Sequence, residues 1–340
     1  MNQTSNPMTP RVRVLAALRR EPVDRRPVAN PTSIVTTDLQ DKLGIHFPDA
    51  HHDAEKMAAL AMAGHTELGY DVVFPIFAGG THEAEALGVP VRWGDKGHMP
   101  ACEKPIWKTA DDIVIPDDFL DHPAIATPLD AIRILKREVG DEIAVMGKVY
   151  GPWSMAYHCF GLSHFLKMTI KDPPMVSAIV EGLKEVAIRF GRAQVEAGAD
   201  VLCYGAHITG DLIRPEAYPQ FLEAIDRDME AAIGAPLIFH CCGRTMDRIE
   251  YFNANGQTAF HFESQNDPAE LRAKANMVLV GNINNPNTIL TGGPDDVRRE
   301  VYQALDAGVD IIAPECAVPL DAPMANVKAV VEAVEAYAGR

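Results

Sequence analysis

The chain is short of positive charge. It sets 31 Lys and Arg against 47 Asp and Glu, a formal net charge of -16. Nucleic-acid binding needs basic surface to displace counterions, so that class is disfavoured. Docking on anionic lipid is disfavoured for the same reason. A small anionic substrate stays possible, because a few local arginines can hold one inside an acidic protein. Long apolar runs are also missing, and nothing approaches the length that crosses a bilayer. "VLAAL" near the N-terminus is too short and too close to charges to act as a signal peptide. A cytoplasmic location is expected. Cysteine is scarce, with 6 in all. In a reducing compartment Cys102, Cys159, Cys203, Cys241, Cys242 and Cys316 read as thiols rather than a disulfide set. There is no phosphate-loop glycine pattern, no short repeat and no low-complexity segment.

What is present is an alternation. With 340 residues and 47% hydrophobic content the chain can bury a large core. Short apolar runs occur near Val28 and over 71–77, 143–149, 200–205, 236–241, 258–264, 277–283 and 309–315. They are rich in Val, Ile and Leu without strict alternation, as parallel strands buried on both faces are. Segments with helical spacing separate them, at 53–70, 173–198, 214–234, 294–308 and 323–339. Several open on Asp or Pro and close on Gly. "AGAD" at Ala197 and "AGVD" at Ala307 repeat one helix-to-strand junction. Eight strands alternating with helices predict an α/β fold, a (β/α)8 TIM barrel, over a doubly wound open sheet. We read 1–340 as one barrel domain. An irregular excursion at about 82–126, rich in Pro, Gly, Trp and charge, follows the second strand and is expected to hold a small hairpin.

Barrel enzymes carry their sites at the carboxyl ends of the strands. "PLIFHCCGRT" over 236–245 ends such a strand. Residues two apart in a strand face the same way, so His240 and Cys242 project together and Cys241 points to the other side. An imidazole and a thiolate at that spacing suit Zn²⁺, and a catalytic zinc takes three protein ligands plus one open position. Cys316, 74 residues after Cys242 and also at a strand end, is the natural third ligand. Cysteine also packs as a small hydrophobe, and a single His-x-Cys on a strand is more often core than ligand. The residues alone leave both readings open. Glu263 and His207 sit at strand ends as second-tier catalytic candidates, able to touch substrate or order a ligand. Tyr150, Trp153 and Tyr157 are expected as an aromatic wall for a substrate. Glu315 reads as structural, and His51, His52 and His98 as solvated loop residues.

Several segments are similar to a known family. "MTPRVRVLAALRREPVDRRPV" at 8–28, "EAEALG" at 83–88 and "GPWSMAYHCFG" at 151–161 resemble the uroporphyrinogen decarboxylase superfamily. "GNINNPNTILTGGPDDVRREV" and "APECAVPLDAPMANVKAVVEA" extend the likeness to nearly the whole chain. Within it, the chain resembles the zinc-dependent corrinoid methyltransferases, the methylcobamide:coenzyme M and chloromethane enzymes. That branch holds zinc with a His-x-Cys pair and a distant Cys, positions that are His240, Cys242 and Cys316 here. The decarboxylase branch carries an arginine-rich segment that grips substrate carboxylates, and "RRPVANPTSIVTTD" lacks it after Pro27. The resemblance implies methyl transfer between a corrinoid, such as methylcobalamin, and a small substrate such as a thiol. The usual corrinoid-binding Asp-x-His-x-x-Gly pattern is missing, so the corrinoid is expected as free cofactor or on a separate, transiently bound protein. A porphyrinogen-type decarboxylase, a demethylase acting on a zinc-activated methyl donor, and a non-catalytic corrinoid-binding barrel are the alternatives.

Overall fold

One aspartate device recurs at the start of the strands. Asp71, Asp200 and Asp310 each donate a backbone N–H to a carbonyl on the neighbouring strand, those of Val28, Val145 and Leu279, at 2.8–3.0 Å. Each side chain then accepts the N–H of that same residue, at 2.8, 3.0 and 2.9 Å. An arginine completes each set: Arg13 and Arg25 on Asp71, Arg11 on Asp200, Arg272 on Asp310. Strand ends expose backbone donors that water would otherwise have to satisfy, and these carboxylates satisfy them in place.

The computed structural model describes residues 7–339. In chain order the strands are β1 (Val72–Val73), β2 (Val91–Arg92), β3 (Ala101–Cys102), β4 (Ala144–Tyr150), β5 (Val201–Gly205), β6 (Leu237–His240), β7 (Ala259–His261), β8 (Val278–Ile283) and β9 (Ile311–Pro314). Seven of them form a parallel sheet ordered β1-β4-β5-β6-β7-β8-β9, while β2 and β3 pair antiparallel within the excursion. Val28 bridges Ile312 of β9 in parallel, and its carbonyl accepts from Asp71 just before β1. The eighth expected strand is thus one bridge long, and it joins the two ends of the sheet. This is the TIM-barrel α/β fold the alternation predicts. The strands of the seven-stranded sheet are buried except at Tyr150, which ends β4, as those of a sheet covered on both faces are.

Several expected elements shift. The run 71–77 keeps only two strand residues, because Pro75 has no N–H for a ladder. The segment 214–234 is two helices, Ala217–Phe221 and Glu223–Ile233, broken at Leu222. A long helix, Pro123–Val139, was masked by Pro123 and Pro128; it begins inside the expected excursion. Both repeated junctions hold: Gly198 (φ 116°) and Gly308 (φ 83°) reverse the chain in the left-handed region.

His51 is not solvated. It is 0% exposed in the short helix Asp49–His52, its ring stacked 4.2 Å from Phe47, and neither ring nitrogen has a partner. His52 and His98 are exposed as expected. Burial holds the His51 imidazole well below its ordinary value, with His82 nearby adding to the effect. The unfolded chain therefore takes up a proton near pH 6.5 while the folded one does not. That contribution to stability is complete above pH 6.5 and is lost as pH falls below it. Relative to His51→Leu, the native protein should lose about 1.4 kcal/mol more on going from pH 7.5 to 5.5. Urea melts at the two pH values check this; parallel losses in both proteins would refute it.

Candidate metal centre

The expected ligand residues converge. His240 closes β6, Cys242 follows two residues on, and Cys316 lies two residues beyond β9. Gly243 allows the turn after Cys242. Its φ is 76°, and a Cβ there would lie 2.3 Å from Asp211 Oδ2 and 2.5 Å from Thr209 Oγ1. On the other side, the Asn30 carboxamide donates to the Cys316 carbonyl at 3.1 Å and fixes that loop.

The three donor atoms form a tight triangle. Cys242 Sγ is 3.1 Å from His240 Nε2 and 3.6 Å from Cys316 Sγ; Cys316 Sγ is 3.6 Å from His240 Nε2. Among the described residues this is the one His/Cys/Asp/Glu group of three placed to hold a metal. A disulfide needs its sulfurs at about 2.05 Å, so the cysteines are free thiols. Tetrahedral zinc, with sulfur at about 2.3 Å and nitrogen at about 2.0 Å, spaces its ligands about 3.5–3.8 Å apart. Two edges match, and the 3.1 Å edge needs to open by about 0.4 Å. The donor set fits zinc.

Local electrostatics favour the ligand forms of His240 and Cys316 and hold Cys242 as a thiol. Burial, with His261 and His207 close by, holds the His240 imidazole far below its usual value, hence neutral. The hydrogen bond between the two thiols lowers Cys316 and raises Cys242, so Cys316 is the first to become a thiolate. Cys241 is fully buried, and burial pushes its thiol up to about 12. The pair of adjacent cysteines is split as strand geometry requires.

His240 and Cys316 line a cavity of about 590 Å³ together with Lys148, Tyr150, Tyr157 and His207, among others. His207 lies here as expected, its ring 6.5 Å from His240. Ser154 Oγ donates to the Gly205 carbonyl and accepts from the His207 backbone N–H. Its remaining contact, 3.1 Å from His207 Nδ1, must therefore be accepted from an Nδ1–H. His207 Nε2 is left as an acceptor. Burial lowers this imidazole to about 4, so it is neutral at pH 7. The Glu263 carboxyl lies beside Cys242 and the Gly243 backbone, raised by burial. Glu315 is structural, as expected: its carboxylate accepts from the Ser264 and Asn285 backbones.

The aromatic wall needs correction. Tyr150 and Tyr157 line the cavity, but Trp153 does not. It is 1% exposed, donates its indole N–H to Tyr157 Oη and packs on Phe165 and Phe221. The helix Pro152–Ala156 turns it toward the core.

Two residues passed unnoticed in the sequence. His261 pairs with His240 across the β6–β7 ladder, its ring 4.6 Å away, and donates Nε2–H to the Pro314 carbonyl. Lys148 points inward from β4. The signal for both was a single polar residue inside an otherwise apolar strand, as in "VMGKV" and "TAFHF".

A family model, uroporphyrinogen decarboxylase (URO-D), matches residues 9–337. This chain belongs to the uroporphyrinogen decarboxylase family. It is 32% identical to methylcobamide:CoM methyltransferase MtaA of Methanosarcina barkeri, covering 97% of this chain and 98% of the relative. It is 28% identical to the methylated-thiol–coenzyme M methyltransferase of Methanosarcina mazei, over 96% of this chain and 89% of that one. A solved methyltransferase from Methanosarcina mazei superposes with a TM-score of 0.93 at 30% identity, covering 97% and 99% of the two chains. By this kinship the chain is a methyltransferase-type enzyme of the family. No helix among the described residues is long and apolar enough to cross a membrane.

Proposed function

We propose that this chain is a zinc-dependent methyltransferase moving a methyl group between a corrinoid and a small thiol, acting as one barrel domain in the cytoplasm. The observation that carries this reading is the His240–Cys242–Cys316 triangle, with its three donor atoms within 4.8 Å of one another and two of them lining the cavity. The names of its full-length relatives support the corrinoid and the thiol.

Zinc held by these three residues would favour the thiolate form of a thiol in its fourth position, giving a nucleophile at neutral pH. The remaining work falls to the chain. His207 Nε2, left as an acceptor by Ser154, can accept a hydrogen bond from an incoming thiol, while its low basicity passes the proton that the thiol sheds on to solvent. Tyr150 and Tyr157 bound the cavity on one side and narrow the approach of the methyl carrier. Methyl transfer is an in-line displacement, so holding sulfur and methyl in line carries much of the rate. The corrinoid arrives free or on a separate protein that docks transiently. Metal-free decarboxylation has no use for two thiols and an imidazole at the strand ends.

The zinc-loaded protein should demethylate methylcobalamin in the presence of one or more members of a small-thiol panel, followed by the visible spectrum. Removing the metal with a chelator should reduce that rate at least about 100-fold. No turnover with any thiol, or turnover indifferent to chelation, would overturn the reading.

A further inference from the structure

Lys148 is a buried amine whose neighbours supply no close counter-charge for its ammonium form. It is 4% exposed, and its inward direction is fixed: the Gln194 carboxamide accepts its backbone N–H at 2.7 Å and donates to its carbonyl at 2.8 Å. Nζ has one hydrogen-bond acceptor, the Thr32 carbonyl at 3.3 Å, although an ammonium offers three donors. The rings of Phe74 and Tyr150 lie 5.4 and 5.8 Å away. Among the described residues no carboxylate oxygen comes within 4.0 Å of it. A buried charge left this way is costly unless something pairs with it.

Burial lowers Lys148 from its ordinary value, and the acidic groups that oppose this are Cys203, Cys316, Glu83 and Cys242. Burial pushes the Cys203 thiol up to about 12, so it stays neutral. Burial raises the Glu83 carboxyl to about 7, so it is a partial charge at most near neutrality. Only the two thiolates remain. Two thiolates on a divalent metal cancel its charge, which leaves the ammonium facing an electrically neutral centre.

We infer that Lys148 is the counter-charge for an anionic fourth ligand on the metal held by His240, Cys242 and Cys316. This rests on the metal reading above and deepens it. A neutral fourth ligand leaves the pocket with an uncompensated positive charge. An anionic one, a thiolate included, closes the balance. Lys148 thereby selects which ligands the centre accepts by their charge at the donor atom, whatever the rest of the molecule carries. It acts as a positioning residue, since it need not touch the reacting atoms.

The test uses the full chain loaded with Co²⁺, whose visible bands report the fourth ligand directly. Ethanethiol and azide serve as anionic ligands with no charged tail, and imidazole as the neutral one. In Lys148→Met both anions should bind at least about tenfold more weakly. Imidazole should bind within about twofold of the native protein, which also shows that the variant is folded and metallated. Lys148→Arg should keep most of the anion affinity. Unchanged anion binding in Lys148→Met would overturn the inference, as would equal weakening of imidazole and anions. If the native protein takes up no Co²⁺, the metal reading itself falls and this one with it.

Discussion

Cys316→Ala should leave the purified protein with less than about a tenth of the zinc that the native chain carries. A structural zinc site of four ligands is worth roughly 10–16 kcal/mol near neutrality, so one ligand's share is about 2.5–4 kcal/mol, or roughly 10²–10³ in affinity. Cys316 is the thiol that the hydrogen bond with Cys242 lowers, so its removal takes away the ligand that ionises first. Cys242→Ala should behave alike. Cys241→Ser should keep its zinc, since that side chain is buried on the far side of the strand and forms no part of the triangle. Metal analysis after extensive dialysis, with a competing chelator to set affinities, gives the three answers together. Equal zinc in Cys241→Ser and Cys242→Ala would mean that the register of the chain after β6 is wrong.

The second large effect is on stability. Asp71→Ala should lower unfolding stability by about 3–5 kcal/mol, the usual result of breaking a buried ion pair by removing one partner. Asp71 is 1% exposed and receives Arg13 at 2.7 Å, Arg25 at 2.7 Å and the Val28 N–H at 2.8 Å. Removing the carboxylate leaves the Val28 N–H without its acceptor and takes one carboxylate from each guanidinium, Arg13 keeping Asp24 and Arg25 keeping the Arg26 carbonyl. It also frees Val28, whose single bridge to Ile312 is what joins the first and last parts of the sheet. Asp95→Ala, on an exposed loop pair with His98, is the control and should leave the urea midpoint close to that of the native protein. Urea denaturation at pH 7 compares them. Equal midpoints for the two variants would contradict this account of barrel closure.

Much of this was legible before any coordinates. Parallel strands buried on both faces show as apolar runs, so seven of the eight expected runs fall on sheet strands. The period of two in a strand was enough to separate Cys241 from its neighbours. What was hidden depended on context. Val28 forms a bridge rather than a strand because its partners are set by the Asp71 network, more than 40 residues on. The helix Pro123–Val139 was obscured because proline reads as a breaker; Pro123 sits at the first turn, where it is tolerated, and Pro128 lies inside the helix. Trp153 and Tyr157 lie four residues apart, yet one faces core and the other cavity, a choice made by the packing of Phe165 and Phe221. His51 looked solvated because nothing local announces that Phe47 and Trp93 cover it. Lys148 and His261 were in plain sight as polar residues within apolar strands, a pattern that marks inward-facing positions of a barrel.

The central claim is that His240, Cys242 and Cys316 hold a zinc whose fourth position receives a thiol. Zinc K-edge X-ray absorption on the native protein, with and without a thiol that supports methylcobalamin demethylation, tests it most directly. The account predicts two sulfur neighbours at about 2.3 Å without thiol and three with it. A sulfur count that stays at two when the thiol is saturating would contradict it.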